Sequence, residues 1–333
     1  MTASKAKRNE PFECGGYYVA AGQRLRFDMP VALLPTHTQL HIPVTVVHGL
    51  KPGPRLWLSA AVHGDELNGV EIISRLLNGL QDPLRCGTII AVPIVNVFGF
   101  IGQSRYLPDR RDLNRSFPGS LRGSLASRIA HLFMTEIVER CTHGLDLHTA
   151  AVDRSNLPQV RGDMADPETR KLAEAFNAPV MMQSATRPGS LRGAASKRGK
   201  PSLVFEGGEA QRFNESAIGV GVRGIQGVLH MLGMISKPPR GKRTKTKLVE
   251  ESSWIRARRG GLWQLHVDEG ETVKSGEALG IIGDPFGADR ITVRAPFDGV
   301  VVGKANNPVV HGGDSLVHLG KLPAGETESI RTD

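Results

Sequence analysis

The chain has 333 residues, 40% of them hydrophobic and 23% charged, with a net charge of +9. This is the composition of a globular protein with a large core and room for more than one domain, and no apolar run approaches the roughly 20 residues that span a bilayer. Its three cysteines, Cys14, Cys86 and Cys141, match neither a disulfide framework nor zinc-thiolate spacings.

Residues 1–39 read as an N-terminal extension, partly β. Their first residues are basic but lack the apolar stretch of a secretory signal, so a cytoplasmic location is expected. From 40 to 235 strand-like and helix-like segments alternate. RLWLSAAV (Arg55 to Val62) is a short apolar run, followed by Val70, Ile73, Leu76, Leu77 and Leu80 at helical spacing. GTIIAVPIVN (Gly87 to Asn96) is β-branched and continuous, as a strand buried on both faces would be. Leu125, Ile129, Leu132, Phe133 and Val138 form the apolar stripe of a second helix, with Ser124 as its N-cap. GLDLHTA reads as a strand end, and Asp166 followed by Pro167 opens a third helix. PVMMQS and PSLVFEGG are again strand-like. The alternation predicts an α/β domain with a mostly parallel central sheet.

Residues 236–247, SKPPRGKRTKTK, hold six Lys or Arg and no acid. No aromatic residue interleaves with them, so a base-stacking platform is not indicated. They read as a solvated basic linker, and a nucleic-acid partner is not expected. Residues 248–322 change texture: short runs broken by glycine, without helical periodicity, predict a small all-β module. Residues 323–333 are polar and read as a disordered tail.

Candidate chemistry gathers at strand ends, where open parallel sheets collect functional groups. His63 follows an apolar strand and Glu66 is expected in the first turn of the next helix, a spacing that lets imidazole and carboxylate converge. Either residue alone is equally a turn histidine and a helix-dipole carboxylate. His148 ends another strand, with Asp146 two residues before it on the same face, where it can orient the imidazole. Two histidines and a glutamate are the ligand set of a catalytic zinc, with one position open for water. Glu206, at the end of SLVFEGG, is placed as a general base, with Glu209 its competitor. The loop QSRYLPDRRDLNRSFPG sets Asn114 beside Arg115, a pair able to clamp a carboxylate.

HGDE, DLNRSFPG, DLHT and FEGGE, in this order, resemble the succinylglutamate desuccinylase/aspartoacylase family, of the zinc carboxypeptidase-like superfamily, across residues 40–235. The resemblance implies one Zn2+ per subunit on His63, Glu66 and His148, with Glu206 as general base and acid. Arg105 would polarise the scissile carbonyl, and Asn114 and Arg115 would hold the substrate carboxylate. The gap between Arg105 and DLNR is longer here than in the aspartoacylase pattern, which leaves Arg110 or Arg111 as substitutes for Arg105. GETVKSGEALGIIGD and APFDGVVVG look like the halves of a biotinyl/lipoyl-like barrel. Its tip, GDPFGADR, has no carrier lysine, so a structural or assembly role is expected, consistent with a homo-oligomer. The implied activity is removal of an acyl group from an N-acyl amino acid by metal-activated water. The alternative is a metallocarboxypeptidase acting on short peptides.

Overall fold

The computed structural model of the chain describes residues 8–80, 83–241, 243–323 and 329–330. Parts of the expected extension, linker and tail (1–7, 242, 324–328 and 331–333) lie outside the described residues.

A large twisted sheet organises the molecule. Its middle runs Ser202–Gly208, His143–His148, Lys51–Ala60, Cys86–Val92, all neighbours parallel. Beyond Cys86–Val92 the strands Gln39–His48 and Arg24–Leu33 add antiparallel. On the other side Arg154–Gly162 pairs antiparallel with Ser202–Gly208. The sheet is therefore mixed, which corrects the expectation of a mostly parallel one. The physical reason is connection length: hairpin-linked neighbours such as Arg24–Leu33 and Gln39–His48 have no crossover helix between them and must pair antiparallel.

Alternation along Lys51–Ala60 explains why both faces are covered. Leu56, Leu58 and Ala60 enter a core with Ile72, Ile73 and Leu76 of the helix Asn68–Gly79 and with Ile225 and Val228 of the helix Glu215–Met231. Trp57 faces the opposite core, with Ile129, Ala130 and Phe133 of the helix Leu125–Phe133. Each fully buried Leu, Ile or Phe contributes about 1.5–3 kcal/mol. Ser124 and Asp166 cap their helices as expected, accepting from the Ser127 and Thr169 amides. Among the described residues no helix is long and apolar enough to cross a membrane.

The C-terminal strands do not stand apart from this sheet. Gly299–Ala305 pairs with Arg154–Gly162, joining Gly303 to Asn156 and Lys304 to Ser155. Ser315–Lys321 and Ser252–Arg256 extend the sheet further. A separate antiparallel sheet of four strands, Arg290–Arg294, Ala278–Gly283, Gly261–Leu265 and Val309–Val310, shares a core with them through Trp263, Ile282, Val301 and Val317. The end of the basic segment is tied down. Asn177 bonds Thr244 and Thr246, and Lys247–Val249 pairs parallel with Val180–Gln183. Of the tail, Ile330 donates its amide to the Gly270 carbonyl.

Candidate metal centre and active site

His63 and Glu66 share a tight turn between the strand Lys51–Ala60 and the helix Asn68–Gly79, closed by the Glu66 amide donating to the His63 carbonyl at 3.2 Å. Glu66 thus precedes the helix rather than lying in its first turn, because this turn consumes the residues between strand and helix. Gly64 permits it: a Cβ there would sit 1.9 Å from the Gly99 carbonyl carbon. His148 ends its strand beside them.

The two imidazole Nδ1 atoms lie 3.2 Å apart. Each is 2.7 Å from one oxygen of the Glu66 carboxylate. The potential ligand atoms of His63, Glu66 and His148 all fall within 4.8 Å of one another, and all three residues are buried. Tetrahedral zinc with bonds of about 2.0–2.1 Å sets its ligands about 3.3 Å apart, close to the observed imidazole separation. The far nitrogen of His148, Nε2, faces Asp146 Oδ2 at 2.8 Å, and Asp146 Oδ1 accepts from the Ser59 hydroxyl at 2.7 Å. This fixes a proton on Nε2 and leaves the Nδ1 lone pair aimed at the cluster. His63 Nε2 lies 3.2 Å from Asp112 Oδ1 without hydrogen-bond alignment.

Carboxylates outnumber the permanent cations around the cluster. Glu66, Asp112 and Asp146 surround the imidazoles, and Arg105 returns one positive charge, through Glu66 at 3.3 Å and Asp112 at 3.0 Å. Burial works against ionisation of Glu66, but His63 and His148 outweigh it and hold its carboxyl well below the usual range. Burial likewise opposes a charge on His148, yet Asp146 and Glu66 raise it well above the ordinary imidazole value. A divalent ion held by these three side chains would offset the surrounding carboxylates. The donor set, its burial and this anionic excess all fit such an ion.

A cleft of about 310 Å³ opens over the cluster and brings together His63, Glu66, His148, Arg105, Asn114, Arg115 and Glu206. Arg105 lines it, whereas Arg110 and Arg111 do not; Arg111 pairs instead with Asp109 at 3.7 Å. Glu206 lines it, whereas Glu209 accepts from Asn306 outside. Asn114 uses its Oδ1 to accept the Leu191 amide at 2.9 Å. Arg115 is exposed, with Nη1 donating to the Asn114 carbonyl.

The structure adds wall residues that the motifs leave unmarked. Asn156 donates to Glu206 Oε2 at 3.1 Å, and Arg161 Nη1 lies 3.7 Å from Glu206 Oε1. Arg192 is buried on neutral acceptors, the Ser184 carbonyl and hydroxyl and the Ala185 carbonyl. Trp254, from the C-terminal module, closes one side, with the Arg154 guanidinium 5.3 Å from its ring centroid.

Residues 52–232 match the family profile described as the succinylglutamate desuccinylase/aspartoacylase catalytic domain. The chain belongs to that family. A curated relative, N-alpha-acetyl-L-2,4-diaminobutyric acid deacetylase of Halomonas elongata, is 28% identical over 294 residues, covering 84% of this chain and 86% of the relative. The crystal structure of a succinylglutamate desuccinylase/aspartoacylase from Rhodobacter sphaeroides superposes with a TM-score of 0.80 at 30% identity, over 90% of this chain and 95% of that one. The product-bound ectoine utilization protein EutE (DoeB) of Ruegeria pomeroyi shares the fold, with a TM-score of 0.81 at 22% identity over 90% and 95% of the two chains. The similarity thus extends beyond the catalytic profile and takes in the C-terminal strands.

Proposed function

We propose that the protein is a zinc-dependent amidohydrolase that removes the acyl group from an N-acyl amino acid or a related small amide. The observation that carries this reading is the buried His63–Glu66–His148 cluster sharing one cleft with Glu206. His63, Glu66 and His148 would hold one ion per subunit. Bound there, zinc supplies Lewis acidity and makes a water acidic enough to act as a nucleophile near neutral pH.

The chain's own groups do the rest. Glu206 takes the proton of the attacking water and returns it to the amine nitrogen as the amide bond breaks. Arg105 stands beside Glu66, where its guanidinium meets the negative charge that grows on the carbonyl oxygen. Asn114 and Arg115 hold the carboxylate of the substrate, and Trp254 walls one side of the cleft. The products are a carboxylic acid and a free amine. A metallocarboxypeptidase would use the same cluster, but the family description names a desuccinylase and an aspartoacylase and the curated relative is a deacetylase, and this favours the deacylase reading.

Metal analysis of purified protein, followed by a screen of N-acetyl, N-succinyl and N-formyl amino acids, tests the proposal. The expected outcome is one zinc per chain and turnover of one substrate class. Glu206→Gln should retain zinc and lose turnover by roughly 100-fold or more, in the range of general acid–base contributions. Near-normal activity in that variant removes Glu206 from the role. His63→Ala should emerge depleted in zinc, and an unchanged stoichiometry rejects the ligand set.

A further inference from the structure

Glu206 is held from two sides, and the two supports lead to two adjacent residues of the C-terminal module, Gly303 and Val302. On one side Asn156 donates to Oε2 at 3.1 Å. Asn156 is buried and sits directly across the ladder from Gly303. A Cβ on Gly303 would lie 2.6 Å from Asn156 Oδ1 and 3.1 Å from the Ser155 carbonyl, so a bare α-carbon is what leaves room for the amide.

On the other side Arg161 approaches Oε1 at 3.7 Å. Its Nε donates to Gln159 Oε1 at 3.2 Å. Gln159, fully buried, donates through Nε2 to the Val302 carbonyl at 2.9 Å and to the Leu157 carbonyl at 3.1 Å. The orientation of the Gln159 amide is thereby set: its NH2 faces two carbonyls and its oxygen faces Arg161.

We propose that the C-terminal module is a positioning element for the general base, with Val302 and Gly303 fixing both oxygens of the Glu206 carboxylate through Gln159–Arg161 and Asn156. Neither Val302 nor Gly303 touches the cleft; they act through the strand Arg154–Gly162, and so are positioning residues. The inference rests on the reading of Glu206 as the base. It gives the module a role in catalysis separate from carriage or assembly, and one that needs no modified lysine.

The test is a double-mutant cycle on the full chain, using the best substrate from the acyl amino acid panel. Gly303→Ala and Asn156→Ala should each lower kcat by roughly 10- to 100-fold, the scale of a displacement of about 1 Å in a catalytic group. KM and zinc content should stay near wild type, while the buried substitutions lower the melting temperature without unfolding the protein at the assay temperature. The Gly303→Ala/Asn156→Ala double variant should lose no more than Asn156→Ala alone, because the glycine acts through the amide. Gln159→Leu provides a second route if Gly303→Ala fails to fold, with the same kcat-specific loss. Additive losses in the double variant, or losses confined to KM or melting temperature, overturn the proposal. A crystal structure of Gly303→Ala reads the same question without turnover: a rotated Glu206 carboxylate supports the proposal, and an unmoved one rejects it. Glu206→Gln with near-normal activity would instead reject the base reading while leaving the crystallographic answer intact.

Discussion

Asp146 and His148, two residues apart on one strand, meet through Oδ2 and Nε2 at 2.8 Å. The contact selects the imidazole tautomer, because the carboxylate accepts a hydrogen bond from Nε2–H and leaves the Nδ1 lone pair facing Glu66 and His63. Asp146→Asn keeps the size but removes the obligatory acceptor. We expect zinc affinity to fall about 10- to 100-fold, the usual effect of losing such a partner. Competition with a chelator of known affinity measures it, and an unchanged affinity would show that the tautomer is set elsewhere.

Arg115 is exposed, and among the described residues its Nη1 donates to the carbonyl of its neighbour Asn114. Little folding free energy therefore depends on it. Arg115→Ala should leave the melting temperature within about 1 °C of wild type, as exposed substitutions change stability by no more than about 0.5 kcal/mol. It should raise KM for a carboxylate-bearing substrate while sparing kcat. A loss confined to kcat would argue against the clamp.

His318, under Trp254 in the C-terminal module, carries a pH signature. Its ring stacks on Trp254 with centroids 4.8 Å apart, and its Nε2 lies 2.9 Å from the Ser252 hydroxyl. Burial, reinforced by the charge of Arg161, pushes its pKa from 6.5 down to about 3. The unfolded chain therefore takes up the proton first as pH falls, so this contribution is neutral above about 6.5 and becomes destabilising from there down to about 3. At pH 5 it amounts to about 2 kcal/mol. His318→Phe should lose less stability than wild type between pH 8 and pH 5 in urea unfolding. Parallel losses in the two proteins would assign the acid sensitivity to other groups.

The zinc-ligand candidates are legible in the sequence because each lies where an apolar run stops, and His63 and Glu66 are three residues apart. The apparatus around Glu206 is not. Asn156, Gln159 and Arg161 sit on a strand interrupted by Pro158, a residue that argues against a central strand. The structure tolerates it because pairing with Gly299–Ala305 ends at Asn156 and pairing with Val180–Gln183 begins at Gln159. Pro158 falls between the two ladders. Trp254 reaches the cleft, and Val302 the strand behind it, through strand pairing with segments far away in sequence, and such pairing leaves no periodic trace along the chain. For the same reason the mixed character of the sheet escapes a reading based on strand–helix alternation.

The ladder between Asn156 and Gly303 also bears on how the chain is made. The Gln159–Val302 hydrogen bond spans 143 residues. At ribosomal speeds of about 5–20 residues per second, the strand Arg154–Gly162 waits roughly 7–30 s for its neighbour to be synthesised. Throughout that interval the Arg154–Asn156 part of this strand lacks its Gly303–Ala305 partner and is an unpaired edge, the kind of surface that recruits stray strands. Maturation of the active site is therefore a late event, reached only when translation has delivered the far end of the polypeptide.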